Sequence, residues 1–321
     1  MRMYEVVDIT SWKTEKIRAS GSKEKSWYRR PEDNKLFLFK LPVSLTSESW
    51  RVLNESTGEM WSEKIAYEVG KVLNIFTHTV EIGCIEANDE IINSYGITPE
   101  KIKSGVIYGA LCCSFLEEGL ESLIEGADMI SDFDYTYDRE TLRGTIEIYN
   151  YDLLIRVFQK YNIIDKLYSM LIFDTLIGNT DRHQDNFGLI KDEVTRKLFF
   201  APLYDNSSSL GRELTDDRIK LMYRDAQMLN SYYFGKKSAS RIWWGDINDY
   251  KRLNSFEFLK KAGEVTPELK AMRYIVQLLT DDKIDEIVHK VPVEVMSDMK
   301  KDFVSDFLKF RRNYILEGVY K

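Results

Sequence analysis

The stretch Ile177-Gly-Asn-Thr-Asp-Arg-His-Gln-Asp-Asn-Phe-Gly-Leu-Ile-Lys191 decides how this chain is read. An apolar run with helical spacing precedes it, and a strand-like run follows. Between them Asp181 and Asn186 stand five apart in a short polar loop. A second carboxylate, Asp205, ends the apolar run Leu198-Phe-Phe-Ala-Pro-Leu-Tyr204. Asp–x4–Asn followed by Asp is the spacing by which phosphoryl-transfer enzymes hold a base and two metal ligands over a nucleotide. In that reading Asp181 accepts or orients the proton of an acceptor hydroxyl. Asn186 and Asp205 hold Mg²⁺, which neutralises charge on the transferring oxygens. A lone Asp–x4–Asn is more often an ordinary loop, because Asn and Asp commonly cap and turn chains. Asp205 shifts the balance, since a hairpin of 187–190 with 198–203 would set it beside Asn186.

Lys40 lies inside a dense strand-like run, 35–41, bounded by Pro31-Glu-Asp-Asn34 and Pro42. A lysine in so apolar a strand is costly unless its ammonium finds a partner or reaches a lip. In a nucleotide site it would reach the α- and β-phosphates and pair with a helix glutamate. A snorkelling edge-strand lysine is the equal alternative. Glu63, on a helical run over 58–73, is the favoured partner, with Glu59 and Glu68 expected on a solvated face. Upstream, Ser20, Gly21, Ser22 and Lys23 belong to a polar segment whose backbone amides could cradle phosphates, although one glycine is a weak signal. Basic residues gather around it (Lys13, Lys16, Arg18, Lys23, Lys25, Arg29, Arg30), which suits a polyphosphate ligand and a solvated flap almost equally.

His183 has no second histidine near it in sequence, so it is read as neither base nor metal ligand. Its imidazole is expected to donate a loop-stabilising hydrogen bond, and it is counted among the nucleotide-contacting residues. Arg182 is expected to neutralise a phosphate or pair with Asp185. Trp243-Trp244 and Tyr232-Tyr-Phe234 read as packing residues of a helical region.

With 321 residues, 44% of them hydrophobic and 13% aromatic, the chain can bury a sizeable core, and disorder is excluded. A net charge of −7 argues against a protein that coats nucleic acid. Three cysteines without paired spacing argue against a disulfide or zinc framework. No apolar run is long enough to span a bilayer, and the first residues lack the apolar core of a signal peptide. A cytoplasmic setting is expected.

Strand-like runs at 35–41, 79–85 and 105–113 surround the helical run at 58–73, with Asn74 placed to end it in a left-handed conformation. After about residue 118 the character becomes helical, with helices expected over 151–158, 163–177 and 293–319 and an acidic loop over 131–140. The expected fold class is α+β: a β-rich lobe over 1–118 joined to a mainly helical lobe over 119–321, with the nucleotide in the cleft between them.

Taken together and in order, Ser20-Gly-Ser-Lys-Glu-Lys25, Phe39-Lys-Leu-Pro42, Ser62-Glu63, the loop from Asp174 to Gly188, and Ala201-Pro-Leu-Tyr-Asp205 resemble the HipA-like serine/threonine kinases, their short forms above all. The Gly-Asn-x-Asp-x-His-x-x-Asn loop is specific to that group; the other elements are individually weak. The resemblance covers about residues 18 to 211. It implies a bilobed protein-kinase-like fold using ATP and Mg²⁺, with a protein serine or threonine as acceptor. It also implies Lys40 as the nucleotide-anchoring lysine, Glu63 as its partner, Asp181 as the base, and Asn186 and Asp205 as metal ligands. Full-length members dock an antitoxin with the help of an extra amino-terminal subdomain, which a chain of this length is not expected to contain, so an antitoxin partner is a weaker implication. Those members are silenced by phosphorylation of a serine just ahead of the loop glycine. Arg18 stands at that place here, and Ser20 or Ser22 is the expected autophosphorylation site. Asp181 to Asn186 also resembles the catalytic loop of phosphoinositide kinases, which gives a lipid-kinase alternative. An inactive nucleotide-binding scaffold is a third reading.

Overall fold

The computed structural model describes residues 2–15, 25–46, 56–102, 104–137, 149–235, 238–245 and 251–320. Its first part is built on six strands: β1 (Val6–Asp8), β2 (Lys13–Glu15), β3 (Lys25–Arg29), β4 (Leu36–Lys40), β5 (Val80–Glu86) and β6 (Val106–Cys113). They lie in the order β1-β5-β6-β4-β3-β2. β1 runs parallel to β5, and every other pairing is antiparallel. Among the described residues three α-helices accompany them, α1 (Val43–Thr46), α2 (Glu59–Leu73) and α3 (Asp89–Tyr95).

Alternation along β4 decides what faces what, because successive side chains of a strand point to opposite faces. Phe37 and Phe39 enter one apolar cluster with Tyr95, Ile107 and Leu111. Leu38 packs on the other side, against the cluster containing Met60, Ile65, Val69 and Leu73 of α2. Lys40, two residues on from Leu38, therefore projects toward α2. That helix ends at Asn74, which takes the left-handed conformation with φ 53°, as its sequence suggests.

The rest of the chain is mainly helical: α4 (Gly126–Phe133), α5 (Tyr151–Lys160), α6 (Ile164–Ile177), α7 (Asp216–Arg224), α8 (Ala226–Phe234), α9 (Ser255–Val265), α10 (Pro267–Met272), α11 (Asp281–His289) and α12 (Asp298–Asn313). A small antiparallel sheet, β7 (Glu121–Glu125), β8 (Gly188–Asp192) and β9 (Leu198–Phe200), is set among them. The fold is α+β, with a β-sheet amino-terminal region and a helical carboxy-terminal region. One apolar cluster takes in α2 together with Leu154, Phe173, Phe187 and Leu308.

Three local expectations need correction. The acidic 131–140 segment is not all loop: α4 runs to Phe133, because Ala127, Met129 and Ile130 give it an apolar face to bury. The last helix begins at Asp298 rather than 293, since Ser297 caps it through the Lys300 N–H, and it finishes in a π turn over Tyr314–Gly318. β7 was not foreseen; its strand state comes from pairing with β8, more than sixty residues away.

Candidate active site

Lys40 is the hub. Its Nζ lies 3.0 Å from Glu63 Oε1 and 3.2 Å from Asp205 Oδ1, joining β4, α2 and the segment after β9. Glu63 is wholly buried, and its second oxygen accepts the Asn206 N–H at 3.1 Å. Burial alone would discharge the Lys40 ammonium, but Asp205 and Glu63 outweigh it and hold its pKa well above the ordinary value. Burial would likewise favour a neutral Asp205. The adjoining Lys40 ammonium and the Ser207 hydroxyl prevail and hold that carboxyl well below the usual range. Asp205 also takes a positive φ of 55°, a left-handed backbone that Asp tolerates better than most residues.

The loop after α6 is set by a glycine and an arginine. Gly178 closes the helix at φ 68°, and a Cβ there would meet Phe307 at 2.7 Å. Asn179 then caps the turn: its Oδ1 accepts the Asp181 N–H at 3.0 Å and its Nδ2 donates to Asp174 at 3.2 Å. Arg182 is not the phosphate contact or Asp185 partner expected from sequence. It is buried and forms a two-pronged pair with Asp174 of α6, at 2.9 and 2.8 Å. Its remaining donors reach Asn186 O at 2.7 Å, Tyr204 O at 2.7 Å and Asn206 Oδ1 at 2.6 Å. One guanidinium thus ties the Asn186 backbone to the residues on either side of Asp205. A carboxylate inside Leu171-Ile-Phe-Asp-Thr-Leu-Ile177 was the available signal, because a buried charge demands a partner.

Asn186 donates its Nδ2 to Asp181 O at 2.9 Å, and its Oδ1 has no protein donor among the described residues. Asp181 is partly exposed, and its Oδ1 accepts from Arg241 Nε at 3.0 Å. Arg241, which sequence reasoning did not single out, belongs to a strip 60 residues downstream. His183 behaves differently from expectation: its Nδ1 accepts the Asp185 N–H at 3.2 Å instead of donating. The imidazole remains partly exposed.

Glu59 is a further correction. It is buried rather than solvated because Arg212 comes over α2 and pairs with it. Ser20, Gly21, Ser22 and Lys23, with Lys16 and Arg18, lie outside the described residues. Of the nearby basic residues, Arg29 pairs with Glu15 and Glu118, and Arg30 with Asp33.

The donors suit a hard divalent cation. A carboxylate and an amide oxygen without a protein donor are the kind of oxygen set Mg²⁺ takes, with phosphates and waters completing its shell. Behind them Glu63, His78 and Cys112 offer ligand atoms within 4.8 Å of one another, all buried. The Lys40 ammonium is the cation this group already faces. Among the described residues His78 has no hydrogen-bond partner at Nε2, and burial lowers its pKa to about 4. Beside Asp205, Tyr204 stacks on Phe115, just past β6, with ring centroids 5.5 Å apart.

No family model matches the chain. Over 152 residues it is 28% identical to the serine/threonine-protein kinase CtkA of Helicobacter pylori, covering 47% of this chain and 44% of that protein, so the alignment spans less than half of the relative. The crystal structure of the Helicobacter pylori proinflammatory kinase CtkA superposes with a TM-score of 0.74 at 18% identity, over 98% of this chain and 97% of that one. HipA of Shewanella oneidensis, solved with HipB and operator DNA, superposes with a TM-score of 0.52 at 13% identity, over 95% of this chain and 67% of that one. The chain is homologous to CtkA, and its fold is that of the HipA-like kinases.

Proposed function

We propose that this homologue of a HipA-like serine/threonine kinase transfers the γ-phosphoryl group of ATP to a protein serine or threonine. The observation that carries the reading is the meeting of Lys40, Glu63 and Asp205, which are far apart in sequence, within 3.0 and 3.2 Å at one ammonium. Buried charges gathered at a cleft are expensive unless function retains them.

In this reading Lys40 holds the α- and β-phosphates, and Glu63 fixes its direction. Asp181 orients the acceptor hydroxyl and takes its proton. Asn186 and Asp205 would hold Mg²⁺, which offsets charge on the transferring oxygens. Asp205 and Lys40, paired with each other here, would turn to the metal and to the phosphates respectively. Ser20, Gly21, Ser22 and Lys23 are the proposed phosphate-contacting segment, His183 is a further proposed nucleotide contact, and Ser20 or Ser22 is the site proposed for autophosphorylation. The free cysteines among the described residues, Cys84, Cys112 and Cys113, suit a reducing compartment such as the cytoplasm. HipA is solved with HipB, and an antitoxin of that kind is a candidate partner.

The test is incubation with labelled ATP and Mg²⁺, alone and with a generic protein acceptor, followed by phosphopeptide mapping. Wild-type protein incorporates label and Asp181→Ala loses about two to four orders of magnitude of rate while keeping its fold. Equal transfer by the two proteins refutes the role of Asp181; no label in either refutes the activity.

A further inference from the structure

We infer that the acceptor side of this site recognises an acidic peptide, through Arg241 and Arg252. The inference rests on the proposed role of Asp181 and names the class of substrate presented to it.

Residues 238–245 run back against the chain at 251–254. Ala239 pairs with Asn254 in an antiparallel bridge, and the Ser240 N–H donates to Leu253 O at 3.0 Å. The register then changes, for Trp244 bridges Lys251, and between the two bridges Arg241 and Arg252 lie near enough to feel each other's charge. Neighbouring like charges repel, so the arrangement needs an anion. Among the described residues the carboxylate that answers it is Asp181, which accepts from Arg241 Nε at 3.0 Å. Arg252 donates its Nε to Ser240 O at 3.1 Å, an uncharged acceptor. Partial burial and the neighbouring Arg241 both weaken its hold on its proton, while Asp181 acts in the opposite sense. Among the described residues two cations therefore share one carboxylate, that of Asp181, in a chain whose net charge is −7.

The strip is anchored. Trp243 exchanges backbone hydrogen bonds with Tyr149 and Tyr151, each at 3.0 Å, and Trp244 stacks on Tyr151 with centroids 5.6 Å apart. The Tyr149 hydroxyl donates to Arg182 O at 2.9 Å, inside the loop that carries Asp181. Both arginines are exposed and able to meet a ligand. Once an acceptor hydroxyl engages Asp181, Arg241 loses part of its counter-charge. A carboxylate or phosphate flanking the acceptor residue restores it, in the forked geometry a guanidinium favours.

The experiment measures binding, so it does not depend on turnover. The full chain, saturated with a non-hydrolysable ATP analogue and Mg²⁺, is titrated into fluorescent serine peptides that differ only in flanking Glu, Ala or Lys, and anisotropy is followed. Wild-type protein binds the Glu peptide about fivefold or more tightly than the Ala peptide, with the preference fading as salt rises. Arg252→Ala reduces the preference, and Arg252→Glu shifts it toward the Lys peptide, with circular dichroism checking that each variant is folded. Equal affinity for Glu and Ala peptides, no peptide binding at all, or an unchanged preference in folded Arg252→Glu overturns the inference. Autophosphorylation is scored separately: a chain that sorts peptides by charge but transfers no phosphate refutes the activity and leaves the peptide preference standing.

Discussion

Replacing Arg182 by Met should cost the protein more than any single change on its surface. Arg182 and Asp174 have side chains only 3% and 11% exposed, so removing the guanidinium leaves a carboxylate with little water to turn to. Breaking a buried pair from one side costs about 3–5 kcal/mol, a large part of the roughly 5–15 kcal/mol that stabilises a typical domain. The carbonyls of Asn186 and Tyr204 and the Asn206 side chain lose a donor as well. Removing Asp174 too, as Arg182→Met with Asp174→Leu, should return part of the loss, because no charge is then stranded. Urea unfolding of the four proteins, followed by tryptophan fluorescence and circular dichroism, closes the double-mutant cycle. A loss below about 1 kcal/mol in Arg182→Met, or strictly additive costs, would refute the argument that this pair holds the two loops together. Arg182→Lys keeps the charge but not the fork, and should fall between wild type and Arg182→Met.

Three further outcomes follow from the geometry. Lys40→Met should lower kcat/KM for ATP by about 100-fold, and Glu63→Gln by less because its remaining oxygen can still accept the Asn206 N–H; comparable rates for Lys40→Met and wild type would remove Lys40 from the nucleotide site. His78 is buried neutral with its pKa lowered from 6.5 to about 4, so its contribution to stability is complete above pH 6.5 and is lost as pH falls toward 4. That contribution is roughly 3 kcal/mol, and His78→Asn should flatten the difference in urea midpoint across this window. Gly178→Ala must take φ 68° and press its methyl on Phe307, so it should lose about 1–2 kcal/mol and several degrees of melting temperature; an unchanged melt would show that the turn relaxes freely.

Much of the frame was legible because it depends on local signals. The run around Leu36–Lys40, the helix ending at Asn74 and the hairpin after Asn186 each carry their own periodicity or turn residue, and each lies within a few residues of its expected place. Lys40 and Glu63 could be matched because a charge in an apolar strand asks for a counter-charge one helix away. Arg182 was misread because the carboxylate it pairs with is not the one that follows it in the loop: Asp174 sits eight residues back on the buried side of α6. Glu59 was misread for the same reason, since Arg212 is 153 residues away. Arg241 gave no signal at all. It lies in a strip without regular structure of its own, and the bridges of Ala239 to Asn254 and of Trp243 to Asn150 on either side of it bring its charge toward Asp181.

The stacked rings of Phe115 and Tyr204 give the molecule a mechanical linkage. Phe115 stands two residues beyond the last residue of β6, and Tyr204 immediately precedes Asp205. Through that stack the chain leaving β6 bears directly on the residue beside Asp205, so the seating of the sheet and the aim of this carboxylate are tied together. Shaving either ring to alanine would remove that brace.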